Sequence, residues 1–238
     1  MLRLAVRGFS ELCLTAGTVI LLFVVYVLFW TGVKADRAMD GELAGLRDRW
    51  AQEAAAAGRG QRGAPAAGEA PERAPGGAAG AAAVAARPAG RAFAVLYVPR
   101  FGSGWRKPVL EGTATGVLKK GLGHYPGTAQ PGGVGNFAVA GHRRTYGDPF
   151  KDFPRLRPGD AVIVKDAAAT YTYTVRRGPV RTVPSDVAVI DPVPAKSGFG
   201  GPGRYLTLTT CDPEWGHSHR LIVWAELSQT RPAGQASP

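Results

Sequence analysis

The chain has 238 residues, two cysteines and a net charge of +11, with an isoelectric point near 10.1. That length allows one domain plus accessory segments, and a single cysteine outside the apolar N-terminus excludes an internal disulfide there. The charge excess is Arg scattered through a low-complexity stretch and loops, with no basic helix and no aromatic–basic interleaving. A nucleic-acid partner is therefore excluded, and an anionic membrane or wall surface suits the charge better.

Residues 1–11 carry Arg3 and Arg7 and are read as a cytoplasmic N-terminus. Residues 12–33, "LCLTAGTVILLFVVYVLFWTGV", hold no charge. A helix of that length crosses the ~30 Å hydrocarbon core. A cleaved signal peptide has an apolar run of only ~7–15 residues with a small-x-small site behind it, so an uncleaved transmembrane anchor is expected. Lys34 and Arg37 follow the run, so charge counting leaves the orientation open. Cys13 lies inside it as a small apolar residue. Residues 34–57 predict a helical stalk. Met39, Leu43, Leu46 and Trp50 form one stripe, which packs either on the domain beyond or on a second copy. Residues 58–90 are Ala, Gly, Pro and Arg with almost nothing large to bury, and read as a disordered linker.

From residue 91 to 228 the pattern changes to short alternating runs. "AFAVLYVP", "NFAVAGH", "DAVIVKD", "TYTYTVRR", "RYLTLTT" and "HRLIVWAEL" have strand character, punctuated by Pro-Gly, Gly-Pro and Gly-Asp. Residues 112–126 predict a short helix. Many short strands at close spacing predict an all-β domain, a closed barrel or a sandwich. Residues 229–238 read as a disordered tail.

The chemistry centres on Cys211. In "RYLTLTTC", Leu206 and Leu208 share one face, while Thr207, Thr209 and Cys211 share the other. Cys211 thus ends a strand, a rigid perch with an exposed tip, and its reactive form is the thiolate. Of four histidines, His124, His142, His217 and His219, the second also ends an apolar strand, with small Ala140 and Gly141 beside it leaving room for a substrate backbone. Arg220 opens the next strand. A zinc site on Cys211, His217 and His219 lacks a fourth ligand of suitable spacing. A papain-like order would place Cys before His, and here the order is reversed.

"TLTTC" followed by Arg220, with "AGHR" upstream, resembles the sortases, membrane-anchored cysteine transpeptidases. "GHYPGTAQPGGVGNFAVAGHRRTYGDPF" is similar to the class E, actinobacterial housekeeping type. The resemblance implies an eight-stranded β-barrel with one or two short helices. It makes Cys211 the nucleophile, His142 its acid–base partner and Arg220 the oxyanion and backbone clamp. Tyr125 either shapes a pocket for a Leu-Ala-x-Thr-Gly signal or simply packs, and Thr210 is assigned to the oxyanion region. The implied reaction cleaves the Thr-Gly bond of exported proteins bearing a C-terminal sorting signal and joins them to a peptidoglycan peptide amine. The localisation implied is single-pass in the cell membrane with the catalytic domain extracellular. A pilin-polymerising relative and a non-enzymatic wall-binding β-domain are the alternatives. No cofactor is expected. Calcium is not expected either, because Asp186 and Asp191 are the only acids in the long loop before the cysteine strand.

Overall fold

The computed structural model describes residues 2–62 and 87–234. The anchor and stalk expected as separate segments form one helix, α1 (Leu2–Arg62). Nothing between them breaks it, because no proline occurs in that stretch. Its most apolar part, Val6–Tyr26, has a mean hydropathy of 2.0 and is wholly unburied. It is long and apolar enough to cross a membrane.

The second half of α1 settles where the stalk stripe packs. Met39, Leu43 and Leu46 are buried, and Leu43 and Leu46 lie on Val95 with Trp50 and Tyr97 at the margin. Polar contacts flank the stripe. Asp36 meets Lys107 at 3.7 Å, Glu42 meets Lys120 at 3.8 Å, and Arg49 Nη2 donates to the Ala92 carbonyl at 2.8 Å. The stripe therefore docks on the domain. Each large apolar side chain buried this way stabilises by about 1.5–3 kcal/mol.

Eight strands close into a barrel. They are β1 (Ala92–Tyr97), β2 (Arg106–Glu111), β3 (Leu122–His124), β4 (Gly135–Ala140), β5 (Ala161–Lys165), β6 (Ala169–Thr182), β7 (Arg204–Asp212) and β8 (His219–Pro232). The order around the barrel is β1-β2-β3-β4-β7-β8-β6-β5. Two neighbouring pairs, β2–β3 and β4–β7, are parallel, and the others are antiparallel. The core comes from alternate positions. Leu96, Val109, Leu122, Phe137, Val139, Leu206, Leu208 and Val223 fill the interior and are fully buried. The short helix α2 (Thr115–Leu118) fills only part of 112–126, the stretch expected to be helical, and Leu122–His124 within it is strand β3.

Two strands lay outside the sequence expectation. In β2, Pro108 argues against a strand, but it stands one residue before pairing with β3 begins at Val109. β3 has only three residues, too few to show alternation. The tail boundary also moves. β8 pairs with β6 as far as Ala169↔Pro232, so residues 229–232 are strand and not disordered. Of the expected linker, 58–62 continue α1, and 87–90 turn into β1 with Gly90 N donating to Glu111 O at 2.7 Å. The rest of the linker and the last four residues lie outside the described residues.

Candidate active site

The parallel pairing of β4 with β7 runs in register from Gly135↔Arg204 to Ala140↔Thr209. Gly141 N extends it, donating to Thr209 O at 3.1 Å. His142 and Cys211 therefore leave neighbouring strands at the same rim. The antiparallel β7–β8 pairing places Cys211 directly opposite Arg220. Sequence separation is large, but strand register brings the three together.

Two clefts open at this rim, and the half-buried Cys211 lines one of them. On one side His142, Cys211, Trp215 and His217 line a cleft of about 290 Å³. On the other, Tyr125, Thr209 and Arg220 line a narrower groove of about 80 Å³, walled by Val187, Val189 and Ile190. A wider cleft of about 340 Å³ lies between α1 and β1 at the opposite rim. It is lined by Leu46, Arg49, Trp50 and Phe93 and holds no nucleophile, so size alone does not pick the site.

His142 is set by its surroundings. Its ring lies 5.1 Å from that of Tyr146, and Lys119 Nζ sits 5.1 Å from the Tyr146 ring centre. Burial holds the His142 imidazole below its ordinary pKa near 6.5, and the Lys119 charge adds to that. The ring is thus neutral at neutral pH. Its Nε2 is buried with no partner among the described residues, which leaves it free for a reacting group.

The loop after His142 is sharply bent. Thr145, Tyr146, Gly147 and Asp148 all have positive φ, at 81°, 50°, 79° and 47°. Three of them are not glycine, and such backbone persists only where surroundings over-determine it. Here Phe150 N donates to His142 O at 3.0 Å and closes the loop, while Asp148 Oδ1 accepts from Thr145 N at 2.7 Å. α1 backs it from outside. A Cβ on Gly147 would lie 2.5 Å from Met39 Cε and 2.7 Å from Asp36 Oδ1.

An ionic clasp that sequence reasoning missed ties this loop to the β7–β8 turn. Arg143 Nη1 donates to Asp212, and Arg144 donates to Glu214 and to Asp148. Asp212 also accepts from Arg181 Nε at 2.7 Å. The two bases directly follow His142 and the two acids lie one and three residues after Cys211, so the clasp braces the spacing between them. The signal was present as "HRR" and "CDPE", two strand ends with opposite charge.

The remaining expected residues fall as follows. Tyr125 faces the groove, its hydroxyl sharing a hydrogen bond of 2.9 Å with Thr209 Oγ1. Thr210 differs from the expectation. It is 2% exposed, and its hydroxyl donates to Gly141 O at 2.8 Å, so Thr209 is the threonine beside the groove. Strand alternation is the reason, since Thr209 and Cys211 share a face and Thr210 does not. Gly141 also differs. Its missing side chain admits Leu122 and Phe150, each within 2.7 Å of where a Cβ would stand, so its smallness serves packing and not substrate. His124 is buried, its Nδ1 on Glu111 at 2.9 Å and its Nε2 near Ala129 O and Thr128 Oγ1, a structural role. His217 is exposed, and His219 Nδ1 is engaged by Arg181 and Ser218.

Asp186 is held below the usual carboxylate range by Lys196 at 2.5 Å and by Thr182. Of the two acids in the long loop, Asp186 is thus paired with a lysine of the same loop. Among the described residues, no three His, Cys, Asp or Glu side chains gather as a metal site.

A family model described as the sortase domain matches residues 96–228. Sortase SrtE1 of Streptomyces coelicolor is 36% identical over 241 residues, a match that covers 98% of this chain and 60% of that protein. The chain thus spans less than two thirds of that relative's length. Sortase SrtE2 of the same organism is 34% identical, with 95% of this chain and 83% of that protein covered. Among solved structures, sortase E from Streptomyces avermitilis is 63% identical with a TM-score of 0.59, over 63% of this chain and 98% of that one. Sortase E1 from S. coelicolor, with a tripeptide in its active site, is 39% identical with a TM-score of 0.58, over 63% of this chain and 95% of that one. With the family model matching nearly the whole barrel and class E relatives at 34% to 63% identity, the chain belongs to the sortase family and resembles its class E members.

Proposed function

We propose that the chain is a membrane-anchored cysteine transpeptidase, with Cys211 as nucleophile, His142 as general acid–base and Arg220 as clamp. The observation that carries the reading is the register itself. Cys211 stands opposite Arg220 on β8 and shares a cleft with His142 at the end of β4. The acyl donor is read as a Leu-Ala-x-Thr-Gly-like sorting signal of an exported protein, lying in the groove of Tyr125, Thr209 and Arg220. Val6–Tyr26 is read as the membrane span, with the barrel outside the cell.

The steps follow from the side chains. Neutral His142 takes the thiol proton as Cys211 attacks the Thr carbonyl, and becomes imidazolium. Arg220 has Nη1 on the carbonyls of His217 and His219, each at 2.9 Å. That bracing leaves Nη2 and Nε to meet the oxyanion. The imidazolium gives its proton to the leaving amine of Gly, and the thioacyl-enzyme remains. An acceptor amine then attacks the thioester, its proton passes to His142, and Cys211 regains it as it departs. The product is a new peptide bond. A peptidoglycan peptide amine is the acceptor this reading names. Thr210 acts here by holding the Gly141 carbonyl, a positioning role just ahead of His142.

The direct test is cleavage of fluorogenic peptides that differ only in Ala or Pro at the second signal position, with and without an amine. Faster turnover of the Ala peptide, with amine-dependent product, is expected. No cleavage of either peptide overturns the reading.

The His142 environment gives a second expectation. Protonation of His142 removes the base, so activity falls on the acid side as pH drops through a pKa held below 6.5. Removing the Lys119 charge relieves part of that depression and raises the pKa. Lys119→Met should therefore move the acid limb of kcat/KM to higher pH. An unmoved limb would mean that Lys119 does not act on His142.

A further inference from the structure

The geometry points to the catalytic rim of the barrel resting on the surface of the membrane that holds α1, with Trp215, Val183 and Val187 entering its interface. This rests on the reading of Val6–Tyr26 as a span.

The direction of the barrel is fixed by its contacts along α1. Early turns of the docked segment meet the catalytic rim, where Asp36 pairs with Lys107 and Asp36 and Met39 abut Gly147, in the loop after His142. Later turns meet the opposite rim, where Arg49 holds Ala92 and Glu53 lines a cleft with Asp166 and Ala168. β4 and β7 both end at the first of these rims, and β8 starts there. The thiol end of the barrel thus faces back along α1 toward its apolar part.

The height is short. Ten residues, about 15 Å of helix, separate Tyr26 from Asp36, and only about 5 Å separates it from Val33, the last residue of the uncharged run. The apolar exposure agrees. Outside α1, the exposed large apolar side chains among the described residues are Val134, Val183, Val187 and Trp215. Three of these belong to the catalytic rim, with Val183 and Val187 just after β6 and Trp215 in the β7–β8 turn. Trp215 is 75% exposed and Val187 71%. Tryptophan favours the headgroup level of a bilayer. Exposed Lys34 and Arg37 on α1, and exposed Lys119 and Lys151 near the His142 loop, add cations that suit an anionic leaflet. Val134 is 68% exposed at the opposite rim, where β4 begins, and serves as the built-in control.

Such docking opens the cleft at the bilayer surface. Reactants tethered in the same leaflet reach Cys211 by lateral diffusion, and the anchor sets the working height as well as the location.

The test uses the full chain reconstituted in vesicles of phosphatidylglycerol and phosphatidylcholine, with a benzophenone amino acid placed at Val187 or at Val134. Irradiation should give several-fold more lipid adduct at 187 than at 134. Inserting two helical heptads between Val33 and Lys34 lifts the rim by about 21 Å while keeping the helix face near its original phase. That insertion should drop the adduct at 187 to the level at 134, and the same insertion in the chain without benzophenone should leave cleavage of a soluble peptide intact. Equal labelling at the two positions, or labelling at 187 unaffected by the insertion, overturns the docking. Release of the chain by alkaline carbonate overturns the span reading and the docking with it. Retention of the chain without adduct at 187 overturns the docking alone.

Discussion

Cys211→Ala is expected to remove turnover altogether and leave the barrel folded. Loss of the nucleophile takes with it the only covalent route, a fall on the order of 10⁶ in rate where such enzymes have been stripped of theirs. The structural cost should be small. Cys211 is half-buried at the end of β7, outside the apolar clusters of the interior. Substitutions at such positions shift stability by well under about 1 kcal/mol. Peptide cleavage and near-ultraviolet circular dichroism on the same preparation separate the two effects. Cys13→Ala should leave activity intact, because Cys13 lies in the apolar part of α1. Retained transpeptidation in the Cys211 variant would end the proposed mechanism.

Arg220→Lys should be nearly as damaging to acylation, although charge is kept. An ammonium is a point charge, whereas a guanidinium is a planar fork. In this site the fork is divided. Nη1 holds the carbonyls of His217 and His219, and Arg220 also lines the groove shared with Tyr125 and Thr209. A lysine can brace the turn or meet the oxyanion, but its single nitrogen cannot span both. Loss of one oxyanion donor typically costs ~10²–10³ in rate. Rapid-quench trapping of the thioacyl intermediate should show the loss in the acylation step, with the thermal midpoint little changed. Acylation of the Lys variant at the parent rate would make Arg220 a strand-edge residue.

Much of this site was legible because it depends on strand periodicity and rare residue types. One cysteine outside the apolar run, at the end of an alternating Leu/Thr strand, marks a perch by sequence alone. What escaped was whatever depends on partners distant in sequence. The bases after His142 and the acids after Cys211 lie 69 and 70 positions apart, and they meet because β4 and β7 are parallel neighbours. β3 escaped because three residues carry no period, and β2 because Pro108 masks it. The choice of Thr209 over Thr210 was written in the alternation that placed Cys211, and only the assignment of the oxyanion region ran against it. The single docked helix was half legible. Its stripe was visible in Met39, Leu43 and Leu46, but a stripe does not say what covers it.

The pairing of β4 with β7 also governs when the protein acquires activity during its own synthesis. Ala140 and Thr209 are long-range contacts, and closing such a loop costs entropy before any contact returns it. β8 must then seal the barrel against both β6 and β7. A nascent chain therefore carries Cys211 on an unsealed β7 until β8 arrives. The order of strands acts as a timer, and the rim that carries His142, Cys211 and Arg220 is assembled only once β8 has followed β7.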